Sequence, residues 1–326
     1  MSAKEMSDLL IGDSLAMRRL RALVTRIAAS TLPVLIEGET GSGKELVARA
    51  LHEWSGRSGR LVALNVCAVS DSMFEASMFG HVRGAFTGAL RDSAGYLTEA
   101  HRGTLLLDEV SGLSAGNQVK LLRALETKEF RPVGGCADQR SDFRLLAASN
   151  ESVATLVDRG QFRRDLAHRL GGLRVSVPPL RERIEDVPML AMHFAAHACE
   201  RPTDAVIESG AMRVLLAHSW PGNVRELRHV LEASIALSGG YVEAHDVAAL
   251  IQQDGTQNTA VVRRRDYQDR ELLAQLERCA WDVSEVASEL GVHRATVYRR
   301  LDRLAASGRF AERLREGEEQ SGSLPS

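Results

Sequence analysis

The stretch EGETGSGKE at residues 37–45 constrains the fold of this 326-residue chain more than any other feature. Residues 38–44 have the G-x-x-x-x-G-K spacing of a phosphate-binding loop, in which backbone N–H groups surround phosphate oxygens and the lysine adds charge. A strand-like apolar run at residues 32–37 precedes the loop and a helical pattern follows it, which is the context that such a loop requires. The candidate binding residues are Gly38, Glu39, Thr40, Gly41, Ser42, Gly43, Lys44 and Glu45, the last standing where the motif usually has a Ser or Thr for magnesium.

The rest of the first half alternates between strand-like runs and helical patterns. Such alternation predicts an α/β fold in which a parallel sheet carries helices on both faces. After Pro178 and Pro179 only helical patterns follow, which predicts a helical lid with helices at about 184–199, 208–218, 223–237 and 244–251. The further strand-like runs are residues 61–65, 104–108, 144–149 and 173–177.

Changes of composition divide the chain. The stretch at residues 252–262 is polar and unpatterned, as expected of a linker, and the last ten residues, 317–326, are too polar to pack. The predicted divisions are a nucleotide-binding α/β subdomain (1–179), a helical lid (180–251), a linker (252–265), a small all-α domain (266–310) and a disordered tail (311–326).

Charge and cysteine content exclude several classes of protein. The chain has 41 basic and 43 acidic residues and a formal net charge of -2, which excludes a globally basic nucleic-acid binder but allows a local basic region. Its four cysteines lie at least 63 residues apart, which excludes a C-x-x-C metal site and a dense disulfide framework. No apolar run approaches the length of a membrane span, so we expect a cytoplasmic protein without a membrane partner.

Two carboxylates, Asp108 and Glu109, end the apolar run in the string GTLLLDEV. Ligands of parallel sheets bind at the carboxyl ends of strands, so the first carboxylate suits magnesium binding and the second suits activation of a water. A carboxylate pair at a strand end is also commonly a helix cap or a solvated turn, and these two residues alone leave both interpretations open. The glycine loop upstream favours the catalytic one.

Six strings together carry a resemblance: GETGSGKE, GAFTGA, GTLLLDEV, FRRDLAHRL, PPLRER and WPGNVREL. With them the chain resembles, over about residues 10–251, the AAA+ domain of sigma-54-dependent transcriptional activators, the bacterial enhancer-binding proteins. The resemblance implies an AAA+ P-loop sheet with a helical lid, ATP and Mg2+ as ligands, and ATP hydrolysis. Because Glu commonly follows the loop lysine in this family, Glu45 fits its pattern, and Asp108 is the implied magnesium ligand.

The resemblance implies three more residues of the nucleotide site. Asn65, which ends the second strand-like run, matches the residue that pairs with the catalytic glutamate, and Asn150 matches the first sensor of the terminal phosphate. Arg225 in WPGNVREL matches the second sensor, on the lid. Without the family, Asn65 would be a turn former, Asn150 an ordinary helix cap and Arg225 one partner of a salt bridge.

Arg163 and Arg169 in FRRDLAHRL match the family's arginine fingers. Guanidinium groups that reach the nucleotide of a neighbouring subunit stabilise charge on the transferred phosphoryl group. The alternative is a charged helix surface paired to Asp165. As fingers, the two arginines require a site between subunits, and the resemblance implies a hexamer.

The GAFTGA string has no acid, base or metal ligand. Its glycines predict a mobile loop that presents Phe86 outward, although a glycine turn with Phe86 in the core is the alternative. The resemblance implies that this loop rises when ATP is bound and grips sigma-54, so that the polymerase opens promoter DNA, and that residues 113–118 (LSAGNQ) form a second, supporting loop. The predicted sigma-54 contacts are Gly84, Ala85, Phe86, Thr87, Gly88 and Ala89.

The string WDVSEVASELGVHRATVYRRLDRL, residues 281–304, predicts helix, glycine turn and helix, and it resembles the Fis-type helix-turn-helix. Residues 291–315 contain seven arginines and two acidic residues, the local charge that phosphate neutralisation requires. A basic solvated helix is the alternative to binding double-stranded enhancer DNA. The candidate DNA contacts are Arg294, Thr296, Tyr298, Arg299 and Arg300.

These features predict an activator that binds upstream enhancer DNA and uses ATP hydrolysis to remodel the sigma-54 polymerase. Only about ten residues precede the matched region, so we expect no receiver or ligand-sensing domain and control by a regulatory protein acting in trans. The layout also resembles stand-alone activators of type III secretion genes. The alternatives are a DNA-binding regulator that uses nucleotide only to oligomerise and, weakened by the DNA-binding end, a protein unfoldase.

Overall fold

The computed structural model describes residues 9–199 and 205–253, and beyond them only Leu276, Arg278, Cys279, residues 282–289 and Val297. The chain divides into two compact units. The first comprises the residues up to Met189 together with Ser219–Glu226, and the second comprises Leu190–His218 and the residues from Leu227 onward. No helix of the described part is long and apolar enough to span a membrane.

The described strands and helices alternate through the first unit. The strands are β1 (Val34–Glu37), β2 (Leu61–Asn65), β3 (Thr104–Asp108), β4 (Glu129–Phe130), β5 (Gln139–Arg140), β6 (Arg144–Ser149), β7 (Leu173–Ser176), β8 (Val206–Ile207) and β9 (Tyr241–Val242). The helices are α1 (Leu15–Ala28), α2 (Lys44–Glu53), α3 (Asp71–Phe79), α4 (Gly95–Glu99), α5 (Ala115–Thr127), α6 (Val153–Asp158), α7 (Arg164–Leu170), α8 (Val187–Ala198), α9 (Ser209–Ala217), α10 (Asn223–Ser238), α11 (Ala244–Gln253) and α12 (Val283–Glu289).

The central sheet of the first unit has five strands in the order β2-β3-β6-β1-β7, all parallel. The predicted parallel α/β sheet is therefore confirmed, and each of its strands lies within two residues of the predicted bounds. All five strands end at the same edge. Asn65 and Asp108 are register partners there, and the glycine loop leaves β1 at that edge.

Alternate side chains of the sheet enter two separate cores. Leu105 and Leu107 of β3 pack in one cluster with Leu35, whereas Leu106 packs in another with Val34 and the helices α1 and α2. Since successive strand residues point to opposite faces, the two clusters lie on the two faces of the sheet, as predicted. Each fully buried leucine stabilises the fold by about 1.5–3 kcal/mol.

A buried arginine, Arg144, connects the sheet to two helix ends. Its guanidinium donates to the carbonyl oxygens of Ile27 at 2.9 Å, of Ala28, and of Leu51 at 3.3 Å, near the C-termini of α1 and α2. Helix C-termini leave carbonyls without intrahelical partners and carry partial negative charge, which suits a cation. Burial lowers the pKa of Arg144, and the charge is held by carbonyl dipoles.

In the described residues of the second unit, the regular structure is helical except for one short strand pair. Val206–Ile207 pairs in parallel with Tyr241–Val242, a feature that the prediction of an all-helical lid missed. Two-residue strands have no periodicity that a sequence pattern could reveal. Beside this pair, the His245 ring lies 3.0 Å from Glu243 Oε2 and 3.1 Å from Asp246 Oδ1, and these bonds raise the pKa of His245 to about 9.

Candidate nucleotide site and partner loop

The glycine loop runs from the end of β1 into the first turn of α2. Gly43 is the residue before the helix and has φ +108, and Gly41 has φ +76, so both occupy the left-handed region that favours glycine. Lys44 is buried, and its Nζ donates to the carbonyl oxygens of Gly38 at 2.8 Å and Glu39 at 3.1 Å. The loop thus curls around the lysine amine, while the backbone N–H groups of the first helical turn have no intrahelical acceptors.

Three observations fit a bound phosphate here. The buried Ser42 Oγ has no hydrogen-bond partner among the described residues. Apart from Gly43 and the residues next to it in the chain, no atom of the described residues lies within 4 Å of where a Cβ would stand on Gly43, which leaves room beside the helix N-terminus. Burial lowers the pKa of Lys44, and the charges of Asp108 and Glu109 oppose this shift, so the amine is poorly solvated and would gain from an anion.

Glu109 is held by Asn65 across the ends of two neighbouring strands. Asn65 Nδ2 donates to Glu109 Oε2 at 3.1 Å, and its Oδ1 accepts from the backbone N–H of Cys67 at 2.9 Å. Glu109 has φ +58, an uncommon value for a non-glycine residue, which turns its side chain at the end of β3. The pairing that the family resemblance implies is present, and the register of β2 with β3 produces it.

Asp108 lies beside this pair and close to the loop. Its Oδ1 accepts from the backbone N–H of Glu109 at 3.0 Å, and burial raises its pKa. The charges of Glu109 and the exposed Glu45 raise it further, whereas Lys44 lowers it. Several acidic groups near one amine suit a divalent cation, because a cation would relieve their repulsion. Asn150, at the end of the intervening β6, accepts through Oδ1 from Ser111 Oγ at 2.8 Å.

The outer rim of the loop is bound to two other segments of the same unit. Arg181 donates through both Nη atoms to the Glu39 carboxylate, at 2.7 and 2.5 Å, and Asn223 Nδ2 donates to it at 3.1 Å. The hydrogen bonds from Arg181 and then Asn223 lower the pKa of Glu39 to about 2. Asn223 Nδ2 also lies 3.1 Å from the carbonyl oxygen of Thr40, whose side chain is exposed.

Arg225 lies next to this rim. Its backbone N–H donates to the carbonyl oxygen of Gly41 at 3.3 Å, and its charge contributes to lowering the pKa of Lys44. Arg225 is exposed. It belongs to the first unit, as the phosphate loop does, although the sequence predicted that it lies on the lid. The structure therefore brings this predicted sensor to the nucleotide site.

The two arginines predicted as fingers make contacts within their own chain. Arg163 forms a two-pronged ion pair with Asp165, at 3.1 and 2.6 Å, and Arg169 donates to the carbonyl oxygen of Leu125 at 3.2 and 2.7 Å. The hydrogen bond to Asp165 raises the pKa of Arg163. Both arginines are exposed. Within this single chain Arg163 has the ion pair with Asp165 that the alternative interpretation expects, and the role of both arginines as fingers stays a prediction.

The GAFTGA loop is closed by its own backbone. Gly84 N–H donates to the Ala89 carbonyl at 2.8 Å, and Ala89 N–H donates to the Phe86 carbonyl at 3.0 Å. The Phe86 ring is half-buried and lies 4.9 Å from the His81 ring, so it is neither in the core nor fully outward. Ala89 is buried and Ala85 half-buried, whereas Thr87 and Gly88 are exposed.

The predicted second loop at residues 113–118 is wrong for most of its length. The helix α5 begins at Ala115, and Ser114 caps it by accepting from Asn117 N–H at 3.4 Å. Asn117 and Gln118 are buried, and Gln118 Nε2 donates to the carbonyl of Leu113 at 2.9 Å. The loop was expected from the family resemblance alone, whereas Ser114 is a residue type that favours helix initiation at this position.

The sequence pattern did not indicate the long-range contacts that Arg181, Asn223, Asp186 and Arg183 make. Asp186 accepts from Ser14 N–H and Ser14 Oγ at 2.7 and 2.6 Å, and the buried Arg183 donates to the Ser42 carbonyl at 2.9 Å. The string PPLRER contains Arg181 and Arg183, and WPGNVREL contains Asn223, but no local pattern indicates which distant group each side chain contacts.

The predicted DNA contacts Arg294, Thr296, Tyr298, Arg299 and Arg300 lie outside the described residues. The helix α12 lies within the first predicted helix of that region.

Three family models match the chain in sequence. Residues 10–176 match the sigma-54 interaction domain, residues 181–263 match the AAA+ ATPase lid domain, and residues 263–304 match the bacterial regulatory protein Fis family. The fold is thus an AAA+ sheet and lid followed by a helix-turn-helix domain.

Known proteins agree with these matches. The chain is 41% identical over 303 residues to the transcriptional regulatory protein ZraR of Klebsiella oxytoca, covering 90% of this chain and 68% of that protein. It is 42% identical to the C4-dicarboxylate transport transcriptional regulatory protein DctD of Rhizobium meliloti, covering 90% of this chain and 64% of that protein. The crystal structure of NtrX from Brucella abortus in complex with ATP superposes with a TM-score of 0.68 at 35% identity, covering 92% of this chain and 72% of that one. The chain therefore belongs to the sigma-54-dependent transcriptional activators, with an AAA+ ATPase domain and a Fis-type DNA-binding domain.

Proposed function

We propose that this protein hydrolyses ATP between subunits of a hexameric ring and uses the energy to remodel the sigma-54 polymerase from an upstream enhancer site. The contact of 3.1 Å between Asn65 Nδ2 and Glu109 Oε2 carries the proposal, because it restrains a carboxylate beside a phosphate loop without neutralising it. A related protein, NtrX, has been crystallised with ATP.

In the bound state, the loop from Gly38 to Lys44 would hold the phosphates through backbone N–H groups, the Ser42 hydroxyl and the Lys44 amine. Asp108 would hold Mg2+, which supplies charge neutralisation to the phosphates. Glu109 would orient and deprotonate the attacking water, and Asn65 would hold the carboxylate away from water until the nucleotide is in place. Asn150 directly follows β6, the strand that lies between β3 and β1, and it would contact the terminal phosphate or that water.

Assembly would complete the site. Arg163 and Arg169 are exposed and already directed at oxygen acceptors, Asp165 and the Leu125 carbonyl, so they can exchange these acceptors for phosphate oxygens of a neighbouring subunit. Arg225 would face the same nucleotide from the loop rim of its own chain. Hydrolysis then depends on ring formation, and the family's ring is a hexamer.

The GAFTGA loop would convert this reaction into work. Phe86 would leave the His81 ring and grip sigma-54 together with the exposed Thr87, while the C-terminal helix-turn-helix would tether the ring to enhancer DNA in the cytoplasm. A few kcal/mol of differential affinity is enough to shift such a loop between two positions. A supporting loop cannot include residues 115–118, which are helical.

A mixing experiment tests the shared site. Lys44→Ala subunits keep the fingers but lose the phosphate loop, and Arg169→Ala subunits keep the loop but lose a finger. Each variant alone should show little steady-state ATPase activity, and an equimolar mixture should recover part of the wild-type rate. The wild-type specific activity should also rise steeply with protein concentration.

A DNA-binding regulator that uses nucleotide only to oligomerise would behave differently. Such a protein would assemble with ATP but would show no turnover at any concentration, and mixing the two variants would recover nothing. A mixture that stays inactive while wild type hydrolyses ATP would instead place each site within one chain.

A further inference from the structure

The Glu39 carboxylate lies on the phosphate loop, and its hydrogen bonds connect the loop to two distant segments of the chain. Both of its oxygens are engaged, Oε1 by Arg181 at 2.5 Å and Oε2 by Arg181 at 2.7 Å and by Asn223 at 3.1 Å. These three residues, Glu39, Arg181 and Asn223, are called the rim cluster below. The parallel donation from Arg181 has the fork geometry of strong charge-assisted hydrogen bonds.

Asn223 is the buried centre of the rim cluster. Its side chain is fully buried, and its backbone has φ +56, a left-handed conformation that Asn tolerates better than most residues. Oδ1 accepts from the Leu180 N–H at 2.8 Å, while Nδ2 reaches both Glu39 and the Thr40 carbonyl at 3.1 Å. One side chain thus joins the loop, the segment before Arg181 and the start of α10.

The residues that follow Asn223 are held to the same loop. The backbone N–H groups of Val224 and Arg225 both donate to the Gly41 carbonyl, at 3.1 and 3.3 Å. One carbonyl acceptor shared by two amides, the longer bond at 3.3 Å, is a weak anchor by itself. The rim cluster is the stronger connection between the loop and the backbone that carries Arg225.

We propose that Glu39 is a positioning residue that, through Arg181 and Asn223, presets the phosphate loop and the Arg225 backbone in the geometry that binds ATP. This inference rests on the proposed nucleotide site. Glu39 acts through its neighbours and is not itself a phosphate ligand, since a carboxylate facing the phosphates would repel them. Its effect is on preorganisation, which lowers the free energy required to order the loop on binding.

The ion pair between Glu39 and Arg181 contributes little to stability. The side chains of Arg181 and Glu39 are 47% and 40% exposed, and pairs at this exposure contribute little to the free energy of unfolding. Removing the pair should therefore change ATP affinity more than it changes melting temperature. A matched control exists in Lys120 and Glu75, an ion pair of 2.6 Å with 42% and 44% exposure in the same unit.

The test compares Glu39→Ala, Arg181→Ala, the double variant and the control Glu75→Ala in the full chain. Titration with a fluorescent ATP analogue should show that each rim variant raises the dissociation constant about three- to fivefold, because a preorganising contact cannot improve binding by more than a partly exposed ion pair contributes. The double variant should be no weaker than Glu39→Ala alone, because Glu39→Ala already removes both hydrogen bonds that Arg181→Ala removes. Glu75→Ala should leave the constant within about twofold, and all melting temperatures should fall equally little.

Hydrogen exchange in the nucleotide-free protein provides a second readout. Glu39→Ala should speed amide exchange at residues 223–226, and Glu75→Ala should not. Unchanged ATP affinity and unchanged exchange in Glu39→Ala would refute the positioning role while wild type still binds ATP. A wild-type protein that binds no ATP would refute the proposed nucleotide site instead, and the exchange result would still decide whether Glu39 positions this segment.

Discussion

Two glycine-containing loops, the phosphate loop at residues 38–44 and the GAFTGA loop at residues 84–89, are held in opposite ways. The phosphate loop is bonded from several sides, by the Lys44 amine inside it, by the rim cluster outside it and by Arg183 at the Ser42 carbonyl. The GAFTGA loop is closed mainly by hydrogen bonds of its own backbone, with the Phe86 ring resting on His81.

The glycines have different tasks in the two loops. Gly41 is glycine because backbone and side-chain atoms of residues 222 and 225 leave no space for a Cβ. Gly84 and Gly88 have open space around the position of a Cβ, so only their positive φ values, +80 and +100, favour glycine. A loop that must bind phosphate is preorganised by contacts, whereas a loop that must reach a partner keeps few of them. The predictions below are ordered by their expected effect on ATP turnover.

Lys44→Ala should have the largest effect. It removes the charge that faces the phosphates and also the two hydrogen bonds that curl the loop, to the Gly38 and Glu39 carbonyls. We expect ATP affinity to fall at least about 100-fold, with turnover lost, as for loss of a charged group in a desolvated site. Titration with labelled ATP checks this, with Lys128→Ala, a surface lysine in the same unit, as control.

Glu109→Gln should abolish most turnover but keep binding. The amide retains an oxygen for Asn65 Nδ2 but cannot accept a proton, and general-base loss typically lowers rates by about 100-fold or more. Single-turnover hydrolysis and ATP affinity, measured on the same sample, separate the two effects. Equal losses of both would contradict the assignment of Glu109 to chemistry.

Gly41→Ala against Gly84→Ala tests the comparison of the loops directly. The two residues have similar φ values, +76 and +80, but a Cβ on Gly41 would stand 3.0 Å from Arg225 Cβ and would collide with the Gly222 carbonyl. We expect Gly41→Ala to weaken ATP binding about tenfold or more, because backbone must shift at the site. Gly84→Ala should cost about 1 kcal/mol of backbone strain and leave ATP binding unchanged.

Thr87→Ala should leave ATP turnover within about twofold of wild type and still abolish promoter opening. Thr87 is exposed on the GAFTGA loop, and the hydrogen bonds of the nucleotide site given above do not involve it. Steady-state ATPase activity and open-complex formation with sigma-54 polymerase measure the two quantities. Full promoter opening by this variant would contradict the proposed grip on sigma-54.

The smallest effect concerns pH and the rim cluster. The pKa of Glu39 is lowered from 4.5 to about 2, so its stabilisation is present above pH 4.5 and is lost as the pH falls toward 2. Because the ion pair is partly exposed, we expect a contribution of at most about 1 kcal/mol. The melting temperatures of wild type and Glu39→Gln should differ at pH 6, and the difference should shrink below pH 4.5 and vanish as the pH approaches 2. A constant difference across this range would contradict the charge-based contribution.

Prediction from sequence succeeded where the pattern was local. The five sheet strands were found because each contains a short apolar run, which is almost continuously buried in β1, β3 and β6 and alternates with more exposed positions in the edge strands β2 and β7. The pair β8 and β9 was missed because two residues show no period. The start of α5 was misassigned because the loop at residues 113–118 was inferred from the family resemblance and not from the local pattern, in which Ser114 caps the helix.

The sequence by itself determined the sheet, the phosphate loop, the carboxylates Asp108 and Glu109, and the family to which the strings belong. Only the tertiary structure decided that Glu39 meets Arg181, 142 residues away, and that Arg225 lies beside Gly41. The physical reason is that periodicity and loop chemistry act between neighbours along the chain. The partner of a polar side chain depends instead on which strand ends and helix ends packing brings to the same edge of the sheet.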